Sequence, residues 1–477
     1  KHLVEASRVT IMKKASIGGS EGNGVVTKRA WQVLGVTSLT NIAIGIDLSI
    51  TNVAIPDMQS SFPSASTADL SWTLTFYMVV YAGFLIVSGR LADRFGRLRV
   101  LNIGFGIFIF SAVLTVIAPT VLTLITARGL IGLSAAMVAP ASLGLAVGAW
   151  PVERRGTAVT IWGSTLGLSS AVGPIIGGLL IDAGSWRWAF SASIPVVVIT
   201  LLWGARTLTE SERNPDASRP DLVGSVSVTV AASGLALAIV QGREWGWGSP
   251  TVLGLLLLSI GAIALVARRI THHPAPIVPR ELLQVSSFKI AAIAVFTFSL
   301  GFFSAMLTMV LYLVEIAEYS TSRAGLGVSV MAFAAFISAM FSGRIADRFG
   351  YRNVVVPGIL LFVTGACWLY LRATSDITYF VDLFPGFILL GAGIGAGPAL
   401  LTGAGVSEVD SANFSVAGAV MQTARQLAGA IGVALIVMIL GSDPTTASFR
   451  SVFLYLAGVT FLSALIASRL PSRKQII

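Results

Sequence analysis

Long apolar runs separated by short polar segments make up most of this chain. They fall at 31–55, 70–88, 100–118, 121–149, 157–182, 187–206, 222–241, 251–267, 288–314, 323–342, 354–372, 382–405, 415–440 and 449–468. At roughly 18–28 residues, each is long enough, or nearly so, to cross about 30 Å of hydrocarbon as an α-helix. Fourteen runs predict fourteen crossings and put both ends of the chain on one side. The expected fold class is an all-α integral membrane protein.

Composition agrees. Of 477 residues, 55% are hydrophobic and 11% charged, and the mean hydropathy is +0.84. No soluble domain of this size has that balance. The net charge of +10 would suit nucleic acid, but its placement does not. With the N-terminus inside, 25 of the 32 Lys and Arg fall in inner segments and 5 in outer ones, while Arg128 and Arg425 lie within spans. That bias predicts both termini in the cytoplasm and basic loops facing anionic lipid. Cys367 is the one cysteine, so no intrachain disulfide is expected. No cleavable signal peptide is evident. Met12 is the expected natural start, preceded by eleven foreign residues. No phosphate-binding G-x-x-x-x-G-K-[ST] run occurs, so ATP is not expected to drive this chain.

A charged segment occurs twice. Gly89, Arg90, Asp93, Arg94, Gly96 and Arg97 belong to G-R-L-A-D-R-F-G-R; Gly343, Arg344, Asp347 and Arg348 belong to G-R-I-A-D-R-F-G. The repeat implies internal duplication. The glycines permit a tight turn at a membrane face. Asp93 or Asp347 can accept from neighbouring arginines or helix N-terminal amides. Two copies, each between membrane spans, point to a mechanical role as a conformational latch; the plainer alternative is a basic turn that only sets topology. The segment resembles the loop after the second helix of the major facilitator superfamily, and the second copy stands where that family's second half repeats it. Two extra spans offset the copies. The expected organisation is a tail at 1–30, a six-helix bundle at 31–206, a linker at 207–221, two inserted helices at 222–267, a linker at 268–287, a second bundle at 288–468 and a tail at 469–477.

Asp47 lies within the first span, nine residues before Pro56, or roughly 14 Å below the outer end. A charge at that depth costs a few kcal/mol, so it is expected to face a water-filled cavity or be protonated; a structural acid tied to a buried partner is the alternative. Ile46 to Pro56, including Asn52, resembles a signature of the fourteen-helix drug:proton antiporters, with Ser49 in place of Thr. Arg128 is about seven residues into the fourth span, roughly 10 Å deep, where it could meet Asp47. Its surroundings resemble the family's R-x-x-Q-G-x-G-A-A motif, linked there to proton transfer, but Ile131 replaces Gln and Ser134 replaces Gly. Gly163, Gly167, Gly173, Pro174, Gly177 and Gly178 in the fifth span resemble the antiporter hinge motif, against ordinary small-residue packing as the alternative. Trp186-Arg187-Trp188-Ala-Phe reads as an outer anchor of the sixth span. Arg425 sits in Q-T-A-R-Q-L-A-G-A-I-G, similar to that group's penultimate-helix signature; bonding to helix carbonyls is its alternative. Glu315 and Glu318, at the outer mouth of the ninth span, could attract cationic substrate or be merely solvated. Phe296, Phe298, Phe302 and Phe303 offer an apolar wall, expected to pack mainly against lipid, with a substrate surface as the alternative.

The resemblance implies two six-helix bundles plus two inserted helices. It implies a secondary transporter and not an enzyme, with no cofactor and no metal, driven by the proton gradient and acting as a monomer. It would export small amphipathic compounds by alternating access. A lipid or metabolite exporter on the same fold, or a non-transporting membrane sensor, are the alternatives.

Overall fold

A computed structural model describes residues 26–151, 155–210, 221–274, 276–374, 377–409 and 414–471. The expected tails at 1–25 and 472–477, and 211–220 of the first linker, lie outside them. The described chain is helical: α1 (Lys28–Ser61), α2 (Thr67–Phe95), α3 (Arg97–Val116), α4 (Val121–Gly148), α5 (Arg155–Ala183), α6 (Trp186–Ser191), α7 (Ser193–Thr207), α8 (Leu222–Trp245), α9 (Pro250–His272), α10 (Ser286–Glu315), α11 (Thr321–Phe349), α12 (Tyr351–Arg372), α13 (Phe384–Ala396), α14 (Pro398–Val406), α15 (Phe414–Leu440) and α16 (Thr446–Ala467). Pairs α6–α7 and α13–α14 each make one crossing. Thirteen crossings are long and apolar enough to span a membrane; the fourteenth is α5, 29 residues long.

Side-chain caps set many of the starts. Thr27 accepts from the Ala30 amide at 3.2 Å, Ser66 and Asp69 form a capping box on α2, and Thr445 with Ser448 does the same on α16. Each cap meets amides that a helix start leaves open.

The first half packs α2 on α4, α1 on α5, and α3 on α4. The second half repeats the scheme, with α11 on α13, α10 on α15, and α12 on α13. The molecule is therefore two six-helix bundles of matching design, as a duplicated sequence requires. The halves meet through α5 on α11 and α2 on α15. The inserted α8 lies across the second of these seams, touching both α2 and α15, while α9 packs mainly on α8. Leu257, Leu258, Ile260 and Ile263 of α9 are exposed, and only 11% of its apolar window is buried. That is a lipid-facing surface.

The halves are not evenly apart. At the face away from the charged repeats, an added Cβ on Gly178 of α5 would stand 2.7 Å from Cα of Ser322 in α11, and one on Gly325 would strike the Pro174 carbonyl. Asp182 also accepts from the Ser322 hydroxyl there. Near the repeats, a Cβ added on Gly163 of α5, Gly343 of α11 or Gly418 of α15 would meet nothing within 4 Å among the described residues. The bundles are in backbone contact at the far face, while these glycines near the repeats are open.

Several expectations need correction. Gly89 and Gly343 do not turn; both are inside helices, because G-R-[LI]-A-D-R-F continues the apolar run as α-helix. Only the second glycine of each copy turns, Gly96 at φ 104° and Gly350 at φ 88°, a region open to glycine at no steric cost. Pro56 does not end α1, which runs on to Ser61. The twelfth crossing is broken before Pro398, at Gly397. The phenylalanine stretch does not face lipid as a whole. Phe298 and Phe303 are buried, and Phe298 packs edge-on to Phe362 at 5.3 Å.

Candidate functional site

Asp47 and Arg128 meet inside the first bundle. Arg128 Nη1 donates to Asp47 Oδ1 at 2.9 Å, and Nη2 donates to the Thr51 hydroxyl at 2.7 Å. Thr51 stands one turn after Asp47 on α1 and donates to its main-chain carbonyl. The guanidinium lies between two rings, with its carbon 5.5 Å from the Tyr77 centroid and 4.9 Å from that of Phe190. Both ring faces favour a cation. The pair is dry: Asp47 is 1% exposed and Arg128 0%. Asp47 Oδ2 is also 2.9 Å from Nη1 yet accepts no hydrogen bond, and the Tyr77 hydroxyl has no partner among the described residues.

Asp47 therefore does not face a water-filled cavity. Its charge is met by Arg128 instead of by water, since a buried carboxylate persists only when paired. The depths read from the sequence allowed this meeting, although α1 runs on to Ser61, 14 residues beyond Asp47. Packing of α1 against α4 brings them together. Asn52 is not in the pair. Its amide donates to the Leu48 carbonyl at 3.1 Å, and its Oδ1 is buried without a partner. Ile131 is buried and apolar, while the Ser134 hydroxyl donates to the Gly104 carbonyl at 2.7 Å, tying α4 to α3.

The glycines of α5 divide between two neighbours. An added Cβ on Gly173 would meet Cβ of Ser49 at 2.5 Å, and one on Gly177 would meet Ile50 at 3.1 Å. Both partners flank Asp47 on α1. Gly178 and Pro174 instead press on α11. Helix α5 thus stands between the carboxylate helix and the other half. Gly163 faces open space; the surroundings of Gly167 lie outside the described residues.

Around the first charged repeat, Arg97 donates to Asp93 at 3.0 Å and to the Gly144 carbonyl of α4 at 2.8 Å. Arg90 donates to the carbonyl of Pro276, in the linker after α9, at 2.8 Å. Gly96 offers α3 no capping side chain. Glu210, arriving from beyond α7, accepts from the amides of Leu98 at 3.0 Å and Arg99 at 3.1 Å. A carboxylate on a helix N-terminus is well placed. Asp93 was a candidate for that role, but its carboxylate is taken by Arg97. Glu210→Ala should cost about 1 kcal/mol, read as a lower unfolding midpoint of the purified protein; an unchanged midpoint would deny the cap any energetic role. Arg94 and Arg348 lie beside Phe95 and Phe349. Arg344 is on α11 beside open Gly343. The Asp347 side chain lies outside the described residues.

The remaining candidates are elsewhere. Arg425 is half-buried on α15, where its Nη1 donates to Gln422 Oε1 at 3.0 Å. Glu315 is exposed at the far face, where Gln59, Thr67, Leu311, Val437 and Ser442 surround a shallow space of about 50 Å³ with it. It does not join Asp47. Trp186 is fully buried and donates to the Ser61 hydroxyl at 3.0 Å, so this segment does anchor the end of α1. Its Phe190 also covers Arg128, a contact the sequence reading missed. Thr51 was missed as well, although its spacing of four from Asp47 marks it as a neighbour on the helix. Tyr77 carries no such local signal.

The Major Facilitator Superfamily profile matches residues 37–433, and a second match covers 291–475. The chain belongs to that superfamily. It is 32% identical over 421 residues to a puromycin resistance protein of Streptomyces alboniger, covering 86% of this chain and 81% of that one. A methylenomycin A resistance protein of Streptomyces coelicolor is 28% identical over 97% of this chain and 98% of its own. A tetracenomycin C resistance and export protein of Streptomyces glaucescens is 27% identical over 87% of this chain and 76% of its own. This is a multi-pass membrane transporter related to antibiotic-resistance exporters, and not an enzyme.

Proposed function

We propose that this protein is a proton-driven exporter of amphipathic organic compounds, of the fourteen-helix drug:proton antiporter type. The observation that carries the reading is the dry Asp47–Arg128 pair, whose carboxylate keeps one oxygen without a hydrogen bond among the described residues. A proton placed on Oδ2 cancels the carboxylate charge and loosens its hold on Arg128. Ser49 and Ile50, two and three residues after Asp47 on α1, lie against Gly173 and Gly177, so any shift of α1 bears on α5, and α5 bears on α11. Proton occupancy and the contact between halves are thus mechanically joined. The charged repeats face the cytoplasm in this reading, which follows the Lys and Arg bias. The state described is then closed outside and open inside, with Asp47 unprotonated. The repeats would latch the cytoplasmic ends in the opposite state. The protein acts as a monomer in the cell membrane.

The relatives' names make puromycin a first probe. In proteoliposomes, acid on the far-face side should drive puromycin toward that side, and an ionophore that exchanges protons for potassium should stop it. Equal flux with and without the pH gradient would reject proton coupling.

A further inference from the structure

Helix α15 carries a polar site at its seam with α2 that the Asp47–Arg128 pair does not use. On α15, Gly418, Gln422, Arg425 and Gly429 share one helix face by their spacing. A Cβ added on Gly418, nearest the repeat face, would meet nothing within 4 Å among the described residues. Gly429, at the deep end, is closed: an added Cβ would meet Phe303 of α10 at 2.7 Å and Met78 of α2 at 2.8 Å. Phe302 packs on Phe303 with centroids 4.7 Å apart. Between the open and closed ends, Arg425 binds Gln422 through Nη1, but its Nε is buried with no partner among the described residues. Thr423, next to Gln422, donates to the Ala82 carbonyl of α2 at 3.3 Å, which sets Tyr81, the residue before Ala82, at this seam. The site therefore draws on both halves.

No described carboxylate answers this cation. Asp47 is held by Arg128, and the partner of Arg425 Nη1 is the neutral amide of Gln422. An arginine inside a membrane bundle ordinarily pairs or lines a substrate path. A guanidinium with a free Nε edge suits a flat anionic oxygen pair. The rings beyond it suit an apolar body.

We propose that Arg425, Gln422 and Tyr81 form the polar end of a substrate subsite for amphipathic anions, with Phe303 and Met78 at its apolar end. This rests on the reading that the seam between the halves is the export path, and it narrows the cargo to compounds carrying an acidic oxygen. Equilibrium dialysis on the full-length purified protein can compare two probes. One is 8-anilinonaphthalene-1-sulfonate, an anion; the other is N-phenyl-1-naphthylamine, the same aromatic body without the sulfonate. Arg425→Gln should weaken the sulfonate about tenfold or more, as expected for a charge-assisted hydrogen bond, and leave the amine unchanged. Arg425→Lys should recover part of the loss. Tyr81→Phe, which keeps the ring, should weaken the sulfonate selectively by roughly threefold, and it decides the matter if Arg425→Gln does not fold. Displacement of the sulfonate by phosphatidylglycerol but not phosphatidylcholine would assign the natural anion to a lipid headgroup; indifference to both would assign it to a solute, and either supports the subsite. Unchanged sulfonate binding in the variants, or equal loss of both probes, would overturn it. Binding needs no pH gradient, so this result stands apart from the test of coupling.

Discussion

Asp47→Asn should abolish gradient-driven export and, by itself, destabilise the protein. The substitution keeps the shape of the side chain and one acceptor for Arg128. It removes the charge that matches the guanidinium and the oxygen that can take a proton. Breaking one side of a buried ion pair costs about 3–5 kcal/mol, because the other charge is left uncompensated in a dry site. Arg128 is fully buried, so it cannot turn to water. The thermal midpoint of the variant should fall clearly. Loss of flux alone would leave stability and coupling entangled, and a second replacement separates them. Asp47→Asn combined with Arg128→Met removes both charges at similar volume, and such replacements are often neutral or stabilising. The double variant should recover most of the thermal midpoint while remaining unable to use the pH gradient. Recovery of coupled flux along with stability would reduce the pair to a structural element. Retention of coupled flux in Asp47→Asn would remove it from the mechanism.

Gly325→Val should drive the far face open. The residue lies where α11 crosses α5, and an added Cβ would collide with the backbone carbonyl of Pro174. A backbone atom cannot step aside as a flexible side chain can. The neighbouring contact at Gly178 is equally backbone-limited, with Cα of Ser322 at 2.7 Å from an added Cβ. Two helices that touch through glycine can approach closely only while both stay small. A branched side chain at position 325 therefore destabilises the closed far face relative to the open one. The shift is measurable between spin labels at Ser64, in the loop after α1, and Asp443, in the loop after α15, with Cys367 replaced by serine. Pulsed electron–electron resonance should show the separation lengthened on the order of 5 Å, the scale of a helix displacement. A distance distribution identical to that of the parent would mean that this contact does not gate the far face. Export should fall in the same variant, because a transporter held in one state cannot cycle.

The number, rough limits and duplication of the crossings were legible because each depends on local properties of the chain. Apolar run length sets how much of it can lie in hydrocarbon, and the two copies of G-R-[LI]-A-D-R-F-G mark corresponding points in two halves. The chemistry of the candidate site was legible in part. A carboxylate at 47 and an arginine at 128 stand out because charges inside apolar runs are costly. Element ends were read less well. Pro56 looked like a terminus but is accommodated inside α1, and the glycines at 89 and 343 looked like turns but continue helices. In each case the surrounding sequence favours helix more than the single residue opposes it.

The sequence by itself determined that this chain spans a membrane many times, that its two halves share one plan, and that ionisable groups are held within the spans. Only the tertiary structure decided which charges find one another. Tyr77 and Phe190 reach Arg128 from different helices, Glu210 caps a helix begun over a hundred positions earlier, and Arg425 meets no acid among the described residues. No local pattern encodes those meetings, because they depend on how whole helices cross. It likewise decided that the bundles are in backbone contact at the far face, since that contact rests on glycines of helices far apart in the chain.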